Sequence, residues 1–221
     1  MIRAIILTSI LFLVLSGCLF GGAGTISWPM AWVVLGIYLA FKIAAFIYVD
    51  PELIKERAAP GEGSGWIDIL LATLGFLALY PATYVIAGLD TIRYGNSHSF
   101  TLIVQIIALL IHFLGYCFAF WAVLVNPFFS TVVRIQDDRG QMLISSGPYA
   151  IIRHPGYSGV FLAHLALPLI FESMWAFLPT IIGVFFFILR TAREDRMLEL
   201  YLADYSEYQT QVRWRLLPGI W

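Results

Sequence analysis

The chain has 221 residues, of which 60% are hydrophobic and 12% are charged, and its formal net charge is −1. Soluble domains carry about 25% charged residues, so this composition excludes an ordinary soluble protein and predicts an integral membrane protein. A membrane-spanning helix needs roughly 20 apolar residues. The length therefore permits about five to seven spans and excludes a separate soluble domain.

The first apolar segment, residues 4–20, admits two interpretations. Arg3, an apolar run and the residues LSGC that end at Cys18 are similar to a bacterial lipoprotein signal. A cleaved signal should precede a soluble exported domain, whereas further apolar segments follow here at once. We therefore favour an uncleaved first transmembrane helix.

Further apolar segments follow along the chain. They comprise residues 28–49, 66–88, 100–125, 155–171 and 175–189. Only three residues separate the last two segments, which predicts a tight helical hairpin. Residues 190–214 are charged and have helical periodicity, which predicts an amphipathic helix after the last span. The predicted fold class is all-α, a polytopic membrane helical bundle of about six transmembrane helices with a cytoplasmic C-terminal amphipathic helix, forming one domain over residues 1–221.

The basic residues orient the chain, because cytoplasmic loops of membrane proteins are enriched in Lys and Arg. If the chain has six spans and a cytoplasmic N-terminus, only Arg93 of the 13 Lys and Arg residues falls in a segment on the outer side of the membrane. Lys42 falls within the second span, where its long side chain can reach the inner interface. All polar segments that carry candidate chemistry are thus predicted to face the cytoplasm.

The cysteines and histidines predict neither a disulfide nor a metal site. Cys18 and Cys117 both lie in apolar segments, so we expect free thiols that pack as small hydrophobic groups. No run of Cys and His has the spacing of a zinc site. We expect neither a metal nor nucleic acid as a partner.

The first polar stretch of interest is GPYAIIRHPGYSG, residues 147–159, directly before the fifth apolar segment. Pro155 suits the first turn of a helix, which places His154 at the cap and leaves free backbone N–H groups that favour an anion. Arg153 adds a positive charge, and two tyrosines offer flat faces. The stretch fits a ligand with a carboxylate or phosphate and a ring, but an interfacial anchor has the same residue types.

The second stretch is RTAREDRMLELYLADYSEY, residues 190–208. Arg190 and Glu194 lie four residues apart and so share one helix face. They also lie where the last span leaves the membrane, and ionisable residues at that depth usually pair or line a cavity. A solvated amphipathic helix is the alternative interpretation.

Together these stretches resemble the isoprenylcysteine carboxyl methyltransferase family. GPYAIIRHPGYSG is similar to the signature G-x-Y-x-x-x-R-H-P-x-Y-x-G, and Arg190, Glu194, Asp195 and Leu198 are similar to R-x-x-x-E-E-x-x-L. The stretches NPFFS before the signature, GTISW and DPEL also resemble this family, and the last two argue against the lipoprotein interpretation.

The resemblance implies that S-adenosylmethionine binds between the two motifs at the cytoplasmic side of a helical bundle. It implies N-terminal spans in residues 4–125 and a catalytic methyltransferase region in residues 126–221, in a multi-pass protein of the bacterial inner membrane. The implied cofactor-binding residues are Tyr149, Arg153, His154, Pro155, Tyr157, Glu194 and Leu198. The implied catalytic residues are Arg190, Glu194 and Asp195, with Arg190 facing the methyl acceptor.

The partners implied are a lipophilic methyl acceptor and membrane lipids, with carboxyl O-methylation of an isoprenylcysteine-like group as the expected reaction. Asp195 stands where the family has a second Glu, and Leu202 stands where a Gly is usual. Neither change removes a charge, so we expect cofactor binding to survive, while the choice of acceptor is less determined.

Three other functions are compatible with the residues. A phospholipid N-methyltransferase would share the cofactor and the architecture. An NADPH-dependent steroid reductase carries a similar R-H-P-N-Y-x-G stretch, but Gly156 replaces its Asn, and Val160 stands where an acidic residue often follows. A non-catalytic membrane scaffold would bind no cofactor.

Overall fold

The fold is built of helices, and the computed structural model, which describes residues 1–63, 65–96 and 100–221, has no strand in those ranges. Residues 64 and 97–99, in two predicted polar links, lie outside the described residues. The helices are α1 (Ile2–Ala23), α2 (Pro29–Tyr48), α3 (Pro51–Ala58), α4 (Trp66–Leu77), α5 (Thr83–Ala87), α6 (Leu102–Val125), α7 (Pro155–Leu165), α8 (Leu167–Ile170), α9 (Phe177–Tyr201) and α10 (Tyr205–Gln211). The all-α prediction is confirmed.

Four helical stretches within the described ranges are long and apolar enough to cross a membrane. They are Ile2–Ala23, Pro29–Tyr48, Trp66–Arg93 and Leu102–Val125. A shorter apolar stretch, Pro155–Ile170, turns back into the apolar first half of α9, as the predicted hairpin requires. The chain is therefore an integral membrane protein, while the count of six spans stays a prediction.

The helix that begins with α4 passes through Pro81 without a break. Pro81 has no N–H and would clash in a regular helix, but the backbone widens here into a π-helical segment, Ala78–Ala82. Such widened turns accommodate an irregular residue inside a helix. After α5 a second π-helical segment, Gly88–Arg93, completes a span of 28 residues.

Helices α6 and α7 pack backbone against backbone. A Cβ atom on Gly159 of α7 would lie 2.5 Å from the backbone nitrogen of Ala119, and one on Gly115 of α6 would lie 2.6 Å from that of Ala163. Small residues allow this close approach of membrane helices. The contact fixes the position of α7, whose first turn carries the signature residues.

Helix α9 ends at Tyr201, and α10 follows after a short turn. The prediction of one amphipathic helix over residues 190–214 is wrong in its bounds, because residues 190–201 continue α9 and α10 is a separate short helix. The break occurs where Leu202 is extended and Asp204 adopts a left-handed conformation.

The end of the chain folds back onto the start of α7. Beyond α10, the carbonyl oxygens of Trp214 and Arg215 accept hydrogen bonds from the backbone N–H groups of Arg153 and His154, each at 2.9 Å. The terminal segment therefore forms part of the surroundings of the signature.

Candidate functional site

A cavity of about 420 Å³ lies between the start of α7 and the charged second half of α9. Ligand-binding pockets in proteins commonly measure about 300–1,000 Å³, so this cavity is large enough for a small cofactor. The predicted site residues that line it are Tyr149, Arg153, His154, Tyr157, Arg190, Glu194 and Leu198. Pro155 is the first residue of α7, and its neighbours His154 and Gly156, but not Pro155 itself, line the cavity. The structure thus brings residues of both motifs to one cavity.

Asp195 joins the two motifs behind the cavity wall. Its Oδ1 accepts from Arg153 Nε at 2.8 Å and its Oδ2 from Arg153 Nη2 at 2.9 Å. The Nε2 atom of His154 lies 3.0 Å from Oδ1. The Tyr205 hydroxyl donates to Oδ1 at 2.8 Å, and Arg215 Nε donates to Oδ2 at 2.7 Å. Because both oxygens are engaged and the side chain is buried, the contacts of Asp195 position its neighbours.

The surroundings of Asp195 keep it ionised. The residue lies beyond the apolar part of α9, which ends at residue 189. Burial alone would raise the pKa of this carboxyl, but hydrogen bonds from His154, Arg153 and Arg215 outweigh burial and hold the pKa well below its usual range. Its negative charge is therefore available to hold the two arginines at neutral pH.

Arg153, predicted to bind the cofactor, also fastens the chain terminus. Its Nη1 donates to the carbonyl oxygens of Val212 and Arg213 at 2.8 and 2.9 Å. Together with the pair to Asp195, these bonds use most of the N–H groups of the guanidinium. Arg153 lies at the cavity, but its direct partners here are the carboxylate and the terminal backbone.

A second polar chain runs along the cavity from α9 to α4. The Tyr157 hydroxyl donates to Glu194 Oε2 at 2.8 Å and accepts from Arg190 Nη1 at 2.8 Å. Arg190 Nε in turn donates to Asp68 Oδ1 at 2.7 Å. Glu194 thus faces the cavity with a positioned carboxylate, and Tyr157 links it to Arg190.

Asp68 is a site residue that the sequence analysis missed. It lies in the first turn of α4 and is 7% exposed. The available signal was an isolated carboxylate within a predicted apolar span, since ionisable residues there usually have a specific partner. The pair also changes the interpretation of Arg190, whose Nη2 donates to the Thr131 carbonyl at 2.8 Å. Arg190 lies at the cavity with its charge already neutralised by Asp68.

A further group fixes the polar segment that follows α6. Arg134 donates from Nε and Nη2 to the two oxygens of Glu56, at 3.1 and 3.0 Å, and from Nη1 to Asp138 at 2.7 Å. Burial would raise the pKa of Glu56, but the bonds from Arg134 and Ser130 lower it below its usual value. This cluster holds α3 against the cavity.

The tyrosines of the two motifs are also hydrogen-bonded. The Tyr208 hydroxyl donates to the Tyr149 carbonyl at 2.6 Å, and Asn126 Nδ2 donates to the Tyr149 hydroxyl at 3.2 Å. Leu198 packs against the cluster of Tyr205 and Tyr208. Tyr149 and Leu198 thus contribute aromatic and apolar surface to the cavity, with Tyr149 held from both sides.

Comparison with known proteins identifies relatives of this fold. Residues 106–200 match the model of the isoprenylcysteine carboxyl methyltransferase (ICMT) family. The solved structure of a eukaryotic intramembrane Ras methyltransferase ICMT has a TM-score of 0.61 at 19% sequence identity. The match covers 98% of this chain and 77% of that one, so the two proteins share a fold.

Two curated proteins are also similar in sequence. The Delta(14)-sterol reductase of Methylotuvimicrobium alcaliphilum is 26% identical over 211 residues, which is 90% of this chain and 48% of the reductase. The Lamin-B receptor of Drosophila melanogaster is 30% identical over 103 residues, which is 43% of this chain and 14% of the receptor. The chain thus spans about half or less of the length of these relatives.

The matched family region reaches from α6 to the end of α9 and contains both motifs around the cavity. The shared fold extends over nearly the whole chain. Both motifs therefore lie in the part of the chain that is similar to the isoprenylcysteine carboxyl methyltransferase family.

Proposed function

We propose that the chain is an S-adenosylmethionine-dependent membrane methyltransferase that methylates the carboxylate of an isoprenylcysteine-like or other lipophilic acceptor. The observation that carries the proposal is that the start of α7 and the Arg190–Leu198 part of α9 line one cavity among apolar helices. The match of residues 106–200 to the isoprenylcysteine carboxyl methyltransferase family model supports the reaction type. The membrane setting supports an acceptor with an apolar tail.

The residues around the cavity fit this cofactor by their chemistry. When bound, S-adenosylmethionine supplies an electrophilic methyl group. Glu194, whose carboxylate lines the cavity, would hold its ammonium group or ribose hydroxyls. The start of α7, where His154 caps the helix without a side-chain capping bond, would hold its carboxylate, because helix N-termini favour anions. Tyr149 and Leu198 would contact its apolar surfaces.

The chain's own residues would contribute alignment and exclusion of water. Tyr157 is bonded to both Glu194 and Arg190, so it would keep these side chains oriented while the acceptor binds. An acceptor carboxylate is already a nucleophile and needs no general base. An amine acceptor, as in phospholipid N-methylation, would need proton removal, for which Glu194 is the suitably placed carboxylate of the two motifs.

We also propose that the chain crosses the membrane six times, with both termini and the catalytic region 126–221 on the cytoplasmic side. The segregation of Lys and Arg supports this orientation. In a bacterial cell it corresponds to the inner membrane, with α10 at the cytoplasmic surface. The spans within 4–125 would complete the site, because Tyr38, Phe76 and Tyr80 line the same cavity.

Isothermal titration of the detergent-purified protein with S-adenosylmethionine and, separately, with NADPH tests the proposal. We expect saturable binding of S-adenosylmethionine, and methyl transfer to a prenylated cysteine in preference to phosphatidylethanolamine. Glu199→Gln, an exposed change on the same helix, serves as the control variant and should bind like the wild type.

The similarity to the Delta(14)-sterol reductase over 90% of the chain makes a reductase the second candidate. In the same titration, a reductase should bind NADPH and should not bind S-adenosylmethionine. Binding of NADPH with no binding of S-adenosylmethionine would overturn the methyltransferase proposal. Binding of neither would favour a non-catalytic scaffold.

A further inference from the structure

Two cations reach the cavity from the N-terminal half of the chain. Lys42 of α2 and Arg57 of α3 both line it. Across the residues that the structure describes, neither forms an ion pair with a carboxylate, whereas Arg134, Arg153 and Arg190 each do. Lys42 and Arg57 therefore bring positive charge to the cavity that the protein itself leaves unbalanced.

The contacts of these two side chains hold them in place without neutralising them. Arg57 Nη1 donates to the Phe129 carbonyl at 2.8 Å, and the guanidinium lies 5.2 Å from the centre of the Phe129 ring. Lys42 Nζ lies 5.2 Å from the centre of the Tyr38 ring. Unpaired charges raise the free energy of the folded protein inside an apolar bundle. An anion bound in the cavity would offset this electrostatic penalty.

A third group points to the same ligand. Tyr38 lines the cavity one helical turn before Lys42 and is 3% exposed. Its hydroxyl has no hydrogen-bond partner among the described residues. Buried hydroxyl groups almost always have one, so this donor indicates an acceptor atom that a ligand would supply.

The family resemblance assigns the binding of the acceptor to Arg190. The contacts of Arg190 weaken that assignment. Arg190 already bonds to Asp68, Tyr157 and the Thr131 carbonyl. A second anion on Arg190 would have to compete with the Asp68 carboxylate. Lys42 and Arg57 face no such competition in the described part of the chain.

We propose that Tyr38, Lys42 and Arg57 form an anion subsite that binds the acidic group, a carboxylate or a phosphate, of the lipophilic acceptor. That the bound molecule is the methyl acceptor rests on the proposed function. That the subsite binds an anionic lipid does not. The apolar tail of such a molecule would lie between the helices that carry Leu11 and Phe76, which line the same cavity.

The test measures binding of defined probes to the full-length protein in detergent. The probes are N-acetyl-S-farnesylcysteine, its methyl ester, phosphatidate and phosphatidylethanolamine. The variants are Lys42→Gln, Arg57→Gln and Tyr38→Phe, with the charge-preserving Lys42→Arg and Arg57→Lys. Lys55→Gln, which removes an exposed cation of α3, is the matched control.

We expect each of the two glutamine variants to weaken binding of the anionic probe about tenfold or more, because a charge-assisted hydrogen bond is lost. Lys42→Arg and Arg57→Lys should recover most of the affinity, and Lys55→Gln should bind like the wild type. Preference for the farnesylcysteine acid over its methyl ester identifies a carboxylate subsite, and preference for phosphatidate identifies a phosphate subsite.

The affinity for S-adenosylmethionine, measured in the same variants, separates this inference from the proposed function. Unchanged cofactor affinity with weakened anion binding supports the subsite. If the wild type binds S-adenosylmethionine but the glutamine variants bind the acid as tightly as the wild type does, the subsite is overturned and the methyltransferase proposal stands. If the wild type binds no S-adenosylmethionine, loss of phosphatidate binding in the variants still supports the subsite.

Discussion

Arg190 in α9 and Asp68 in α4 form an ion pair across 122 residues of sequence, with 2.7 Å between Nε and Oδ1. Their side chains are 6% and 10% exposed. Asp68 also accepts the backbone N–H of Val133 at 3.1 Å. The pair therefore ties α4, α9 and the segment after α6 together at the cavity.

Removal of either partner of this pair should destabilise the protein strongly. Breaking a buried ion pair costs about 3–5 kcal/mol, because the remaining charge stays buried without compensation. We expect Asp68→Asn and Arg190→Gln each to lower the free energy of unfolding by about that amount, and the double variant to lose about 1–3 kcal/mol less than the sum. Chemical denaturation in detergent measures the cycle, and strictly additive losses would show that the two side chains are not coupled.

Asp195 should be equally sensitive, since its carboxylate holds Arg153, Arg215 and the Tyr205 hydroxyl. We expect Asp195→Asn to lower the free energy of unfolding by about 3–5 kcal/mol at neutral pH. Glu199→Gln removes an exposed carboxylate from the same helix and should change stability by less than about 0.5 kcal/mol. Equal unfolding temperatures for the two variants would rule out the positioning role of Asp195.

Asp195 also predicts the pH dependence of stability. Burial would raise its pKa, but the bonds from His154, Arg153 and Arg215 hold the pKa well below the usual range. Because the folded value lies below the unfolded value of about 3.9, the stabilisation is complete above that pH and is lost as the pH falls from there toward the folded pKa. We expect the difference in unfolding temperature between the wild type and Asp195→Asn to be constant above about pH 5 and to shrink below about pH 4. A difference that grew on acidification would contradict this assignment.

The sequence predicted well what depends on local pattern. Pro155 opens α7 and His154 caps it, as expected because proline is favoured at the first position of a helix. Apolar runs of sufficient length predicted the helices, and the three-residue gap at 172–174 predicted the hairpin. The order of the two motifs also predicted that Arg153 lies close to α9. It did not predict that Asp195 is the partner of Arg153.

Long-range pairing was harder to predict. The Asp68–Arg190 and Glu56–Arg134 pairs depend on the rotation and depth of helices that lie far apart in the chain. Local periodicity does not determine which residues of two distant helices lie opposite each other. From the sequence alone, a single carboxylate near the start of a helix, such as Asp68, is therefore interpreted as an interfacial residue. Lys42 illustrates the same limit, because a side chain that can reach the interface can equally line a cavity.

Glu194 should determine cofactor affinity. Its carboxylate lines the cavity and is held by the Tyr157 hydroxyl at 2.8 Å. We expect Glu194→Gln to weaken binding of S-adenosylmethionine about tenfold, or about 1.4 kcal/mol, because a charge-assisted hydrogen bond becomes a neutral one. Titration calorimetry measures the change against Glu199→Gln. An unchanged affinity would remove Glu194 from the cofactor site.

The contact between α6 and α7 predicts a contrast between two glycines. A Cβ on Gly159 would lie 2.5 Å from the Ala119 nitrogen and 2.6 Å from the Gly115 carbonyl oxygen, whereas a Cβ on Gly17 of α1 would have no atom within 4 Å. Both neighbours of Gly159 are backbone atoms, so the helices must separate, and such overpacking costs about 1–3 kcal/mol.

We therefore expect Gly159→Ala to lower the unfolding temperature and to weaken S-adenosylmethionine binding, because the start of α7 moves with the helix. Gly17→Ala should be neutral or slightly stabilising, since alanine favours helix by up to about 1 kcal/mol over glycine. Thermal unfolding in detergent and cofactor titration measure both effects. If Gly159→Ala were as stable as Gly17→Ala, the close packing of α6 on α7, and with it the fixed position of the signature, would not hold.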